Sequence, residues 1–146
     1  MTAGSTLAVV KAGLKTRWEA RAGLSGIPVS LGIPPHALTQ SAIWFESARA
    51  DDEIDDMRGG SKQVTEEFTL DLVIQALDQD TDSAADTKIV SLLAEIQADL
   101  AEDPTVGGVV NWVVLDGWEH ALGWWQGRWH ARLDVDLRVR AHLDVP

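Results

Sequence analysis

Hydrophobic and polar positions alternate with a period of two residues along the stretch RWHARLDVDLRVRAHL, residues 128–143. This alternation is typical of a β-strand that buries one face. At about 3.3 Å per residue, the apolar set from Trp129 to Leu143 would extend about 50 Å, whereas a domain of this size is only about 30–40 Å across. We therefore expect the strand to bend or to project from its own domain, with its apolar face covered by other copies of the chain.

Two segments show the period of about 3.6 residues that is typical of amphipathic helices. The first covers residues 5–22, with Ser5 as the expected N-cap. The second covers residues 83–102, where Asp82 or Ser83 can cap the helix. The predicted buried stripes consist of Leu7, Val10, Leu14 and Trp18 in the first helix and of Ile89, Leu92, Leu93, Ile96 and Leu100 in the second.

Residues 41–49 and 63–77 are predicted to be strands, and an acidic stretch separates them. Within residues 50–62, carboxylates crowd together beside two glycines, and neighbouring like charges repel one another. We predict a mobile loop here that joins the two strands as a hairpin. The acidic side chains of this loop are Asp51, Asp52, Glu53, Asp55 and Asp56.

Weaker signals complete the predicted order of elements. A proline- and glycine-rich stretch leaves room only for a short strand at 27–30, residues 113–118 are a weak strand prediction, and GWWQG at 123–127 is predicted to be a connector. Short connections favour antiparallel pairing within each hairpin. The simplest packed solution is an α+β fold, a single domain over residues 1–146. It has a mostly antiparallel sheet of about four strands and two main helices on one face.

Composition narrows the classes of function. The 146 residues carry a formal net charge of −11, which argues against a general nucleic-acid binder because such a surface needs excess lysine and arginine. The chain has no cysteine, which excludes disulfides, thiol nucleophiles and cysteine-based zinc sites. We expect a soluble protein made in the cytoplasm, without a secretory signal or a membrane span. Seven tryptophans and no tyrosine are unusual, and tryptophan is enriched at interfaces; a tryptophan-rich core is the alternative.

The candidate motifs for metal binding and catalysis are incomplete. Asp78, Asp80 and Asp82 match the first ligands of a calcium loop, but Ser83 and Ile89 stand where that loop requires glycine and glutamate. The acidic loop lacks the rigid placement that a catalytic magnesium site needs, and the histidines lack zinc-motif spacing. We expect no catalytic residue, metal or cofactor. A small metal-dependent enzyme and a monomeric ligand-binding module are weaker alternatives.

The order of elements and one short motif resemble those of the tail terminator (tail completion) proteins of long-tailed bacteriophages. The motif follows the second helix, and Val106 stands in it where that family more often has leucine. It comprises Asp103, Pro104, Thr105, Gly107 and Gly108. The resemblance implies a structural virion protein, commonly a hexameric ring, that caps the tail tube, ends its polymerisation and joins it to the head connector.

The same resemblance implies partners and a location. The partners would be other copies of the chain, the major tail tube protein and the head–tail connector protein, with DNA passing through the ring without specific binding. The protein would lie in the neck region of the virion after assembly in the host cytoplasm. Another head–tail connector or neck ring protein is the alternative within the virion.

The surplus tryptophans and the mixed charges of the last strand are candidates for contacts between subunits, because a head-to-tail ring needs two complementary patches. A solvated face with local cross-strand ion pairs is the alternative for the charges. The acidic loop is predicted to line the lumen and repel DNA, or to dock onto a neighbouring ring. The candidate interface residues are Trp124, Trp125, Trp129, Arg132, Asp134, Asp136, Arg138 and Arg140.

Overall fold

A computed structural model describes the backbone of residues 4–35, 39–58 and 61–145 and the side chains of residues 4–35, 39–50 and 65–143. These residues form the predicted α+β fold. A short 3₁₀ turn at Ala22–Leu24 follows the first helix. The elements in chain order are α1 (Leu7–Ala20), β1 (Val29–Ser30), β2 (Ala42–Arg58), β3 (Ser61–Asp78), α2 (Asp82–Glu102), β4 (Trp112–Trp125) and β5 (Arg128–Val145).

The described strands form one five-stranded sheet in the order β1-β2-β3-β5-β4. The prediction of about four strands is therefore too low by one, because β1 adds a two-residue parallel pairing to the start of β2. All other neighbouring strands run antiparallel. The strand that ends the chain, β5, lies inside the sheet, and β4 occupies an edge.

The prediction of a loop at residues 50–62 is wrong for the described backbone, which is strand at residues 50–58 and 61–62, while the predicted mobility stays a prediction. Strand β2 continues to Arg58 and β3 begins at Ser61, so the acidic stretch belongs to a long hairpin. The far side of β3 is also paired, with Lys62 opposite Val145 of β5. Backbone hydrogen bonds from β3 to β2 and to β5 thus stabilise this end of the hairpin, whereas repulsion between its carboxylates destabilises it.

Strand β4 is much longer than the predicted segment 113–118 and includes part of the predicted connector. It reaches Trp125, and the turn to β5 consists of Gln126 and Gly127 with φ angles of 48° and 77°. Two consecutive left-handed residues are typical of the two-residue hairpin turn that matches strand twist. The sequence pattern missed this strand because most of it is exposed on both faces, so its apolar residues do not alternate.

Both helices pack on one face of the sheet. The predicted helical stripes are confirmed, since all of their residues except Leu7, which is partly buried, lie in the core. The indole of Trp18 stacks on the ring of Phe45 in β2, with centroids 5.6 Å apart and planes 15° from parallel. Strand β3 contributes the buried face Glu66, Phe68, Leu70, Leu72, Ile74 and Ala76.

The apolar face of β5 lies under the chain's own helices. Strand β5 pairs with β3 on one side and β4 on the other, and each of its predicted apolar residues beyond Trp129 is buried. The expectation that sister copies cover this face is therefore wrong. The long strand fits because its neighbour β3 has 18 residues too, so the sheet itself is long. The buried residues of β5 are Ala131, Leu133, Val135, Leu137, Val139, Ala141 and Leu143.

The helix N-termini are capped differently from the prediction. For α1, the carboxylate of buried Glu66 accepts hydrogen bonds from the backbone N–H and the hydroxyl of Thr6, at 3.0 and 2.7 Å. The Ser5 hydroxyl accepts from the N–H of Leu7. For α2, Thr81 is the cap residue, and its hydroxyl accepts a hydrogen bond from the backbone N–H of Ala84 in the first turn. A negative charge at a helix N-terminus is stabilising, which fits the position of Glu66.

Candidate assembly surface

The outer edge of β4 is the most exposed part of the described sheet. Among the described residues, β4 pairs with β5 alone, so its other side presents backbone N–H and C=O groups without a strand partner. All residues from Trp118 to Trp125 are exposed. An edge of this length with apolar side chains is a ready template for pairing with another chain.

The tryptophans divide between the core and this edge. Trp118 and Trp124 are each 55% exposed and Trp125 is 45% exposed, whereas Trp18 and Trp44 are buried. The core interpretation of the tryptophan surplus is thus right for some of the indoles, whereas for those that lie on the surface the interface interpretation stays a prediction. We call Val90 of α2 together with Trp118, Leu122 and Trp124 of β4 the edge patch; all four are exposed apolar residues.

The three β4 members of the edge patch share the helix side of the sheet, because they pair with buried or half-buried residues of β5. Beside Trp118 and Val90, a shallow cavity of about 240 Å³ opens between α2 and β4. The Nε2 atom of His120 lies 2.7 Å from a carboxylate oxygen of Asp86, which ties the strand to the helix. The patch is therefore held by both elements.

The end of the β4–β5 hairpin is ordered by aromatic contacts. Trp124 meets Trp129 edge to face with centroids 5.5 Å apart, and Trp125 meets His130 in the same way at 5.6 Å. The Nε2 atom of His130 also lies 3.0 Å from the carbonyl oxygen of Trp125. Of the predicted interface tryptophans, Trp129 is half-buried against the core, while the other two face solvent.

The arginines among the predicted interface residues of β5 find carboxylate partners within the chain. Arg132 contacts a carboxylate oxygen of Asp134 at 2.9 Å and one of Glu46 at 3.1 Å. Its guanidinium also lies over the indole of Trp44. Arg138 and Arg140 both lie within 4 Å of the carboxylate of Glu67. These local cross-strand pairs favour the interpretation of a solvated face for the charges and leave the apolar edge as the stronger assembly feature.

One predicted interface residue, Asp136, has no such partner among the described ion pairs. It lies directly opposite Asp71 of β3, so two carboxylates face each other across the ladder. Partial burial, followed by the hydrogen bond and the charge of Asp71, raises the pKa of Asp136 above its ordinary value. The hydroxyl of Ser47 donates a hydrogen bond of 2.5 Å to the carboxylate of Asp71.

The Asp-Pro-Thr-Val-Gly-Gly motif forms the turn between α2 and β4. The carboxylate of Asp103 accepts hydrogen bonds from the N–H of Gly107, at 2.8 Å, and from the N–H and hydroxyl of Thr105. These bonds, chiefly that from Gly107, lower the pKa of Asp103. Val106 and the two glycines that follow it all have positive φ angles. Glycine adopts such angles without strain, so the motif shapes the path of the chain into the edge strand.

A cluster of ion pairs joins α1 and α2, and the sequence patterns did not predict it. The buried carboxylate of Asp99 receives the indole N–H of Trp18 at 2.9 Å and the guanidinium of Arg17 at 2.9 Å. One turn away, Arg21 contacts Glu95 at 2.7 Å. The signal for this cluster is the spacing of four residues between the two arginines and between the two acids, which places each pair on one helix face.

The remaining candidate residues of the sequence analysis carry no metal site in the described ranges. The carboxylate of Asp78 accepts hydrogen bonds from the N–H groups of Asp80 and Thr81, so it shapes the turn before α2. Within the described residues, no three histidine, aspartate or glutamate side chains are arranged to hold a metal ion. The side chains of the acidic residues 51–56 lie outside the described part. Of the described helices, none has the length and hydropathy of a membrane span.

Known proteins resemble this chain in fold. Neither a protein-family model nor a curated protein matches the sequence. Among solved structures, a chain of the virion of a native gene transfer agent (GTA) particle superimposes with a TM-score of 0.55, over 94% of this chain and 100% of that chain. The two sequences are 15% identical. This similarity shows a shared fold along nearly the whole chain.

Proposed function

We propose that the chain is a structural protein of a phage-like virion and that it serves as a tail terminator. In this proposal, copies form a ring, a hexamer by the resemblance stated above, that caps the tail tube, ends tube polymerisation and joins the tube to the head connector. DNA passes through the ring without specific binding. The protein acts in the neck of the virion and assembles in the host cytoplasm, and it is not an enzyme.

The observation that carries this proposal is the fold shared with a chain of the gene transfer agent virion, which spans all of that chain. A shared fold by itself does not fix a function, so the support must also come from this chain. The motif that carries the family resemblance forms a defined turn held by Asp103. This turn lies between α2 and β4, the strand with the exposed indoles.

The edge patch supplies the second line of support. An assembly protein needs apolar surface that becomes buried only in the complex. Exposed indoles such as Trp118 and Trp124 are the residue type that contributes most to binding energy at protein interfaces. Their position on an edge strand braced by α2 gives a rigid contact surface.

Tube assembly in vitro tests the proposal. The purified chain is added in small amounts to the tail tube protein encoded by the same genome while the latter polymerises, and tube lengths are measured by electron microscopy. We expect shorter tubes, each with a ring of density at one end. The control is an equal amount of an unrelated protein of similar size and charge.

Two results would contradict the tail terminator role. If the chain binds DNA-filled heads and leaves tube length unchanged, it belongs to another neck or connector ring. If it binds neither tubes nor heads, the virion proposal itself fails.

A further inference from the structure

We infer that, before it joins any larger assembly, the chain pairs with a second copy of itself through the outer edge of β4. The inference begins from the part of β4 that can form an unbroken ladder. A bulge separates Leu115 from Gly117, and the hairpin turn begins at Gln126. The regular segment between these two features runs from Gly117 to Trp125, and its central residue is Ala121.

An antiparallel pair of two such segments is centred on a two-fold axis at Ala121. Because residues n and 242 − n then face each other, Trp118 lies opposite Trp124 of the partner copy and His120 lies opposite Leu122. These residues all lie on the helix side in each copy, as their pairing with β5 requires. Cross-strand aromatic pairs of this kind stabilise a sheet.

The other face of the same ladder is complementary in size. Gly117 would face Trp125 of the partner copy, and Glu119 would face Gly123. In the single chain, a Cβ atom added at either glycine meets nothing within 4 Å, so the space above each is open to a large side chain. Placing an aromatic side chain across from an edge glycine is a known way to stabilise such a position.

Charge does not oppose this pairing. The regular segment has two ionisable residues, Glu119 and His120, and neither faces a like charge in this register. Among the described residues, β2 has no outer strand partner beyond Trp44. A pairing of β4 with that edge would bring Glu119 close to acidic residues of β2 such as Asp51 and Asp52. A second copy of β4 is therefore the partner that the segment fits best.

The two-fold pairing covers the edge patch, which the proposed function uses for assembly, so the pair has to separate before a copy joins the ring or the tube. A closed ring is built from head-to-tail contacts, whereas this contact uses the same surface on both copies. It therefore concerns the free protein, and the tube-capping assay neither requires nor tests it.

Sedimentation of the free chain at micromolar concentrations tests the inference. We expect the wild type to sediment as a dimer. The Ala121→Lys variant places two ammonium groups opposite each other at the axis, so its dimer dissociation constant should rise at least about tenfold. The Val114→Lys variant is the matched control, because Val114 is exposed on the same strand but lies beyond the bulge; it should remain a dimer.

Mixing and cross-linking complete the test. An equimolar mixture of Ala121→Lys and Ala121→Glu should restore a dimer, since opposite charges then meet at the axis. The chain has no cysteine, so a bis-maleimide reagent should link Ala121→Cys copies and leave Val114→Cys copies unlinked. A wild type that stays monomeric overturns the inference, and so does an Ala121→Lys variant that sediments and cross-links like the wild type.

Discussion

At the scale of single residues, charges on the face of the sheet opposite the helices are balanced at some positions and unbalanced at others. Arg132 sits between Asp134 and Glu46, so these charges balance locally. Asp136 instead faces Asp71 across the ladder. Like charges directly opposite each other on neighbouring strands destabilise a sheet, so this position reduces stability at neutral pH.

Replacing Asp136 with Asn should raise the melting temperature at pH 7 by a few degrees. The pKa of the Asp136 carboxyl is raised in the folded chain, so folding favours the protonated carboxyl. The wild type therefore loses stability as the pH rises through this folded-state pKa and the carboxyl becomes charged. The advantage of Asp136→Asn should therefore shrink as the pH falls through this raised pKa, and it should be absent below the ordinary value of about 4. Thermal unfolding followed by circular dichroism between pH 3 and pH 8 measures both effects.

The neighbouring Asp134→Asn variant is the control for this prediction. It removes the carboxylate that accepts hydrogen bonds from Arg132, so its melting temperature should stay equal or fall at pH 7. Equal gains in both variants would mean that general charge reduction, and not the Asp71–Asp136 contact, is responsible.

At the scale of elements, the two helices depend on each other through polar contacts as well as apolar packing. Asp99 of α2 is buried and accepts hydrogen bonds from two consecutive residues of α1. Truncating Asp99 to alanine would leave the Arg17 guanidinium and the Trp18 indole N–H without this acceptor. Breaking a buried ion pair in this way costs about 3–5 kcal/mol.

We therefore expect Asp99→Ala to lower the free energy of unfolding by about 3 kcal/mol, as measured by urea denaturation. The control is Glu102→Ala on the same helix, because the Glu102 side chain is 66% exposed where it contacts Arg21. Exposed pairs contribute at most about 1 kcal/mol. A loss for Asp99→Ala no larger than that for Glu102→Ala would show that the buried cluster adds little.

The β2–β3 hairpin offers a second prediction at this scale. If the acidic residues of this arm line the channel and repel DNA, replacing Asp51, Asp52, Asp55 and Asp56 with lysine should give the assembled ring measurable affinity for duplex DNA at low salt, and that affinity should fall steeply as salt is added. Fluorescence anisotropy with a labelled duplex measures it. An assembled variant ring that gains no affinity would show that the arm does not face DNA.

At the scale of the whole molecule, the surface available for assembly follows from strand order. Because β5 lies between β3 and β4, the apolar face of this long strand is buried in the chain's own core. The edge that carries exposed indoles is that of β4. The apolar surface that an assembly would bury is therefore concentrated at one side of the sheet, next to α2.

The double variant Trp118→Ser and Trp124→Ser should abolish tube capping. It should lower the melting temperature by only a few degrees, because both side chains are more than half exposed and Trp124 loses one edge-to-face contact, with Trp129. The matched control is Val9→Ser, which removes a similarly exposed apolar side chain from α1. Tube lengths and thermal unfolding are compared for the two variants. Normal capping by the tryptophan variant would place the contact with the tube elsewhere on the molecule.

Much of the fold was predictable because buried faces leave local periodic patterns. The stripe from Val10 to Trp18, the stripe from Ile89 to Leu100 and the alternation of β3 and β5 each identify an element and its buried face. These patterns require no knowledge of neighbours, since side-chain direction repeats every 3.6 residues in a helix and every two in a strand.

The position of each strand in the sheet was decided only by the tertiary structure. Strand order determines that β5 is central, that β4 is an edge, and that the carboxylates near Asp52 lie on a paired strand. Those outcomes depend on contacts between residues far apart in the chain, and local repulsion or weak alternation cannot reveal them. The sequence by itself therefore determined which faces are apolar. The packing of the whole chain decided which apolar residues remain exposed for a partner, because a face is buried only when another element covers it.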